Sequence, residues 1–471
     1  MAASMDGNST DVFPITARTY ARAGLFGNPS DQYGGRTIAL SLANFFAEVT
    51  LTPNPASDPP SPAVRIAPHP VYDSSEYGSM EDLERRTSTQ GLYGGVRLLT
   101  ATCNRFVKYC RQHNIPLQQH ADRGFTLSYD TNIPRQTGLA GSSAIIYSAL
   151  QCLLRWYGIS AVQLPPAVHP SLVLAVEAEE LGVAAGLQDR VVQVYGGAVH
   201  MDFRPNEEAA AGAAATHGSP AAASAVAFAN GRYRRLPASL LPLHLMWVMY
   251  SDNPSESGKV HSGVKARWLA GNPQVRSLMS QVACCADEGL RLLLAYNEKK
   301  AQTTPHQQQQ PQEGQQEQEE EGQPRPQSPP GEQQQKHAVD DQTDEWHQQR
   351  LRRLADLMTA NFELRRALFG DEVLGARNLR MVELARSVGA GVNFSGSGGA
   401  VVVLCPGGRQ QAAALAQAAE GEGFVLEPVR LGPEREWLPD LGEKKEGEGE
   451  EEVEQQQGEE KAFGQAEVTG C

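Results

Sequence analysis

Apolar positions along the chain fall into two periodicities. Residues 38–50, 125–130 and 198–203 are apolar or alternate apolar with polar, the period-2 signature of strands. Residues 144–157 are apolar over a helical length and spacing, which predicts a buried helix. Further on, 244–250 (HLMWVMY) reads as a buried strand. A helix near 378–388 leads through SVGAGVNFSGSGG into a strand at 400–404, and a helix near 410–420 follows. Strands and helices do not alternate strictly, so the pattern predicts an α+β architecture in two domains.

The pattern is interrupted three times. Residues 302–345 are dominated by Gln, Glu and Pro, a composition that buries too little apolar surface to offset its ordering entropy. An Ala-rich stretch within 204–232 and the Glu/Gln/Gly tail 441–471 read the same way. The expected organisation is therefore a first domain at 1–203, a variable insertion at 204–232, and the start of a second domain at 233–301. A disordered insertion at 302–345, the rest of the second domain at 346–440 and a disordered tail at 441–471 complete it.

Charge sharpens this division. Of the formal net charge of -14, the insertion 302–345 carries -8 and the tail 441–471 carries -7, which leaves +1 for everything else. A nearly neutral folded part has no general attraction for nucleic acid or for a membrane surface. Seven cysteines, with no CxxC and no zinc-ligand spacing, fit a reducing compartment. No run approaches the ~20 apolar residues that span a bilayer, and the start of the chain lacks a basic and apolar leader. The expectation is a soluble, cytoplasmic protein.

The segment 133–157, IPRQTGLAGSSAIIYSALQCLLRWY, carries the chemistry. A Pro- and Gly-containing loop follows a strand, and Gly141, Ser142 and Ser143 open the apolar helix. Helix N-termini present unpaired backbone N–H groups and partial positive charge, so the loop suits an anion such as phosphate. It is neither a Walker A loop nor a GxGxxG turn. From the loop alone, an anion cradle and a plain serine cap on a core helix both remain open.

Two further segments decide between them. PxxxGLxxSSA resembles the second motif of the GHMP kinases, a superfamily that includes galactokinase, homoserine kinase and mevalonate kinase. TARTYARAGLFGNPSDQYGGRTIALSLANF is similar to its first motif, and VNFSGSGGAVVVLC to its third, in the right order. Where galactokinases carry Gly-Glu-His, this chain has Gly27-Asn28-Pro29, and GNPSD followed by a Gly and a basic residue resembles the glucuronokinases. GLYGGVRLLTATCNRF, GLQDRVVQVYGGAVHMDF, NPSESGKVHSGVKARW and ANFELRRALFG are similar to that family as well.

The resemblance implies a two-domain fold, with a ribosomal-S5-like N-terminal α/β domain and a ferredoxin-like C-terminal α+β domain. It implies ATP held by Pro134, Gly138, Leu139, Ala140, Gly141, Ser142, Ser143 and Ala144, together with Gly396, Ser397 and Gly398. Asp189 matches the catalytic base and Arg22 the basic residue that pairs with it. Mg2+ would sit on Ser143 and Glu177, with Glu179 and Glu180 as substitutes. Asp31 matches an acid that contacts sugar hydroxyls. A carboxylate on the acceptor calls for a bidentate Arg or a Lys, with Arg36, Arg190 and Lys259 as unranked candidates. The implied activity is ATP-dependent phosphorylation of the anomeric hydroxyl of D-glucuronate, giving glucuronate 1-phosphate and ADP. A galacturonate or neutral-aldose kinase, or a non-catalytic sugar-sensing regulator, are the alternatives. His200, His244 and His261 lack ligand spacing and read as structural.

Overall fold

The computed structural model describes residues 13–55, 61–73, 79–80, 94–204, 231–251, 262–303 and 330–434. In chain order the strands are β1 (Ile15–Phe26), β2 (Arg36–Pro53), β3 (Val64–Ile66), β4 (Phe125–Thr131), β5 (Ala198–Asp202), β6 (Arg232–Leu236), β7 (Met246–Ser251), β8 (Gly391–Phe394), β9 (Ala400–Leu404) and β10 (Phe424–Pro428). The main helices are α1 (Gly95–Gln112), α2 (Gly141–Trp156), α3 (His169–Ala175), α4 (Gln188–Tyr195), α5 (Ser262–Leu269), α6 (Pro273–Thr303), α7 (Pro330–Phe369), α8 (Ala376–Ser387) and α9 (Gly408–Glu420).

Two sheets organise these elements. The first runs β3-β4-β2-β5-β6, with β1 also paired to β2 in a long antiparallel hairpin. The second is antiparallel, in the order β10-β7-β9-β8. Helix α2 lies on β1 and β2 and is buried along most of its length. Polar bonds fix its rotation: Ser148 Oγ donates to Thr19 Oγ1 at 2.8 Å and to Ala47 O at 3.1 Å. The second sheet is buried on both faces, which explains why AVVVL in β9 shows no polar alternation. Val402 and Leu404 face the core shared with the first sheet, whereas Val401 and Val403 pack with α5, α8 and α9.

Helix α7 joins the two cores, because Leu354 and Met358 lie in one and Phe362 and Leu368 in the other. It crosses β8 so closely that a Cβ on Gly391 would stand 2.3 Å from Ala355 Cα.

The two-domain α+β expectation agrees with this architecture, but two boundaries move. β6 is hydrogen-bonded along β5 in the first sheet, so residues 232–236 belong there and not to the second domain. Only Leu236 of RYRRL is fully buried, so the strand carries almost no hydrophobic signal. The stretch 302–345 also differs: its backbone is helical from Pro330 onward, as the leading part of α7. Gln, Glu, Lys and Ala are good helix formers and extend a helix anchored by the apolar residues after Arg350. The rest of that stretch (304–329), most of the Ala-rich insertion and the tail lie outside the described residues.

The α7–β8 approach yields a stability test. Gly391→Ala should destabilise the protein by about 1–3 kcal/mol through overpacking, read from the urea midpoint. Gly263→Ala, with nothing within 4 Å of the new Cβ, should leave the midpoint unchanged or raise it. Equal effects at both positions would contradict the packing described.

Candidate functional site

Three chain segments meet at one end of α2. The loop before α2 enters the helix through Ala140, which has left-handed φ of 63°. The first-turn N–H groups of α2 therefore open into the cleft with no helical carbonyl to bond. The turn between β8 and β9 packs directly against this loop. A Cβ on Gly396 would lie 2.1 Å from Gly138 O, so the contact is made backbone to backbone and requires glycine. The end of β1 is the third segment, and Gly24 N donates to Ser395 O at 2.7 Å.

Arg22 on β1 ties all three together. Its guanidinium donates to Ser395 O and, at 3.3 Å, to Gly138 O, and it meets Asp189 Oδ1 at 2.5 Å. Asp189 sits in the first turn of α4 and is partly open to the cleft. Its other oxygen lies 3.2 Å from Arg190 Nη1. Arg190, itself buried, reaches back to Glu177 Oε2 and donates to Gly186 O at 2.8 Å. Desolvation, reinforced by the neighbouring Arg22 charge and opposed by Asp31, brings the Arg190 pKa down to about 9, so it remains a cation at neutral pH.

Glu177 lies on a single π turn, Val176–Glu180, that follows α3. π turns reorient side chains relative to a regular helix. Here Glu177 points inward, and its Oε1 accepts from Ser142 Oγ at 2.6 Å. Glu179 and Glu180 turn the other way, to Arg105 and to Lys108 on α1. They brace the turn from outside and are not available to the cleft.

These groups line a cleft of about 480 Å³. Pro134, Gly138, Leu139, Ala140, Gly141, Ser142, Gly396 and Ser397 line it, together with the charged groups Arg22, Asp31, Glu177, Asp189 and Arg190. Ser143 and Ala144 are buried within α2, and Gly398 is not part of the lining. Ser143 Oγ donates to Ala140 O at 3.2 Å, and the serine that faces Glu177 is Ser142. Arg36 is also displaced from its expected role, since it pairs with Asp287 of α6 at 2.6 Å and does not line the cleft. Lys259 lies outside the described residues.

Two polar groups that sequence reasoning missed line the cleft. Gln188 is buried, and among the described residues neither end of its amide has a hydrogen-bond partner. Asn28 sits at the end of β1, buried beside it. Gln188 immediately precedes Asp189 in GLQDR, which was the available signal. Asn28 differed from the Glu of galactokinases, but nothing local showed what it faced.

Two segments of the chain match family models: 101–197 the GHMP kinases N terminal domain, and 344–422 the GHMP kinases C terminal. Glucuronokinase 1 of Arabidopsis thaliana is 41% identical over 431 residues, 91% of this chain and 95% of that protein. Probable glucuronokinase 2 of the same plant is 41% identical over 435 residues, covering 92% and 95%. The chain belongs to the GHMP kinases. This member is a phosphotransferase with an alcohol acceptor. Its fold is shared with Lactococcus lactis galactokinase complexed with galactose, at a TM-score of 0.54, 12% identity and coverage of 91% of this chain and 96% of that one. A mevalonate kinase structure matches at a TM-score of 0.52 and 14% identity, covering 89% of this chain and 100% of that one.

Asp31 supplies a pH test of the site. Burial, and then the Asp189 charge, push its pKa up from 3.8 to about 6, against the Gln188 N–H at 3.3 Å and the Arg22 and Arg190 charges. A raised carboxyl favours the folded protein when protonated, and that contribution is lost as pH rises through about 6. The melting temperature of the wild type relative to Asp31→Asn should therefore fall between about pH 4 and pH 6 and level off above. A difference that grows with pH would contradict the assignment.

Proposed function

We propose that this enzyme transfers the γ-phosphoryl group of ATP to the anomeric hydroxyl of D-glucuronate, giving glucuronate 1-phosphate and ADP. The observation that carries the reading is a cleft in which a helix N-terminus suited to phosphate lies with Asp189, whose two oxygens are held by Arg22 and Arg190. The choice of acceptor rests on the glucuronokinase relatives at 41% identity over most of the chain.

In this mechanism, the α2 N-terminus and the Gly138 and Gly396 backbones cradle the phosphates. Asp189 accepts the proton of the attacking hydroxyl. Arg22 and Arg190 orient that carboxylate and offset charge that develops near it. Asp31 and the unpartnered amide of Gln188 receive sugar hydroxyls, fixing the acceptor in line.

Magnesium fits the residues present. Ser142 Oγ and Glu177 Oε1, 2.6 Å apart beside the α2 N-terminus, are hard oxygen donors. Among the described residues there is no cage of three His, Cys, Asp or Glu, and Mg2+ at nucleotide sites takes one or two protein oxygens beside phosphate and water. When bound, the ion neutralises phosphate charge.

A cytoplasmic setting belongs to the same proposal. It is supported by cysteines that form no disulfide, Cys103, Cys110, Cys152 and Cys405. No helix among the described residues is long and apolar enough to cross a membrane.

Asp189→Asn keeps the size but removes proton acceptance, so turnover of glucuronate should fall about 100-fold or more while ATP still protects the protein against melting. Unchanged turnover would remove Asp189 from the mechanism. Ser142→Ala should raise the Mg2+ concentration for half-maximal activity by about ten-fold or more, and Ser143→Ala should not. The reverse ranking would restore Ser143 as the metal ligand.

A further inference from the structure

Four arginines are buried among the described residues: Arg22, Arg190, Arg350 and Arg365. In three of them a carboxylate or a backbone carbonyl meets part of the guanidinium, although the Nε of Arg22 and of Arg190 has no hydrogen-bond partner among the described residues. Arg22 and Arg190 meet Asp189 and Glu177, and Arg350 donates to the carbonyl oxygens of Leu292 and Leu293. Arg365 differs. It is fully buried, forms no ion pair among the described residues, and its Nε and Nη2 have no hydrogen-bond partner there. Its one side-chain bond runs from Nη1 to Asn28 Oδ1 at 3.3 Å. The rings of Phe369 and Phe394 stand 5.3 Å from the guanidinium carbon and give it partial compensation. Burial and the Arg22 charge, against the pull of Asp31, lower its pKa to about 10, which leaves it a cation at neutral pH.

An uncompensated buried cation is costly, so its place in the fold calls for an explanation. Arg365 projects from α7 toward the acceptor end of the cleft, where Asn28, Pro29, Asp31 and Gln32 form the wall. Asn28, which lines the cavity, is its hydrogen-bond partner there. With Oδ1 turned to Arg365 and Nδ2 donating to Ser395 O at 3.3 Å, this amide is held from both sides. Asn361, one turn earlier on α7, accepts from Gly27 N at 2.7 Å and clamps the same segment. A carboxylate at position 28 would cancel the guanidinium. A neutral amide leaves its positive potential directed at the cleft.

Among the described residues, the other cations proposed for an acidic acceptor are already engaged, and Lys259 lies outside those residues. Arg36 is bound to Asp287 outside the cleft, and Arg190 is shared between Glu177 and Asp189. We propose that Arg365, acting through Asn28, is the positioning residue that selects a carboxylate-bearing sugar over its neutral counterpart. The inference rests on the glucuronate reading above. A unit charge one amide removed from the acceptor, at an effective dielectric near 20, biases affinity for an anion on the order of 100-fold.

The test uses the full chain with ATP and three acceptors: D-glucuronate, its neutral amide and D-glucose. Arg365→Met should lower kcat/KM for glucuronate on the order of 100-fold, mainly through KM, while the KM for ATP and kcat/KM for the two neutral sugars stay within a few-fold. Arg365→Lys, which keeps the charge, should recover most of the preference. Asn28→Asp should lose it too, because the new carboxylate pairs with Arg365, and this variant decides the matter if Arg365→Met does not fold. An equal loss on all three acceptors, or a preference that survives in Asn28→Asp, would overturn the role of Arg365. A wild-type enzyme that used glucose as well as glucuronate would instead overturn the acceptor reading beneath it, before any variant was compared.

Discussion

A single buried guanidinium holds the active end of this molecule together. Arg22 bonds the loop before α2 through Gly138 O, the β8–β9 turn through Ser395 O, and α4 through Asp189. These segments come from both sheets and from widely separated parts of the chain, so their meeting point is where the fold is least secured by local sequence. Burying a charge is expensive unless good acceptors surround it, and here two carbonyls and a carboxylate converge on one fork. That constraint explains the glycines opposite: only backbone without Cβ lets Gly396 rest on the Gly138 carbonyl while leaving Arg22 its place.

The same convergence sets the electrostatics. Arg22, Arg190 and Arg365 stand against Asp31, Glu177 and Asp189 in a space mostly withdrawn from water. Such an arrangement is preorganised: its charges are already oriented before any ligand arrives, which is how enzymes stabilise developing charge without reorganising at each turnover. The outer supports extend the principle. Arg105 and Lys108 on α1 hold Glu179 and Glu180, and thereby the π turn that aims Glu177 at Ser142.

Much of this was legible in the sequence, and the failures have physical reasons. The helix at α2 and the strand at β9 were read to within a few residues, because one is apolar on nearly every face and the other is buried on both sides. The three motifs located the cleft because their glycines and serines serve backbone geometry, which is a local property. Which of Ser142 and Ser143 faces Glu177 depends on helix rotation, set by Ser148 against Thr19 and Ala47 on distant strands. Arg36 found Asp287 on α6, and β6 joined the first sheet after an insertion with almost no apolar signal of its own. Arg365 lies within ANFELRRALFG, yet only the packing of α7 against the end of β1 reveals what it faces.

In the proposed mechanism, the cleft delivers phosphate to the anomeric oxygen of glucuronate while Asp189 accepts the proton. The most direct measurement is phosphorus–proton correlation NMR on the product formed from ATP and D-glucuronate. The expected result is one phosphorus resonance coupled to the anomeric proton, with ADP formed in equal amount. A phosphate coupled to any other ring proton, or ADP released without a sugar phosphate, would contradict it.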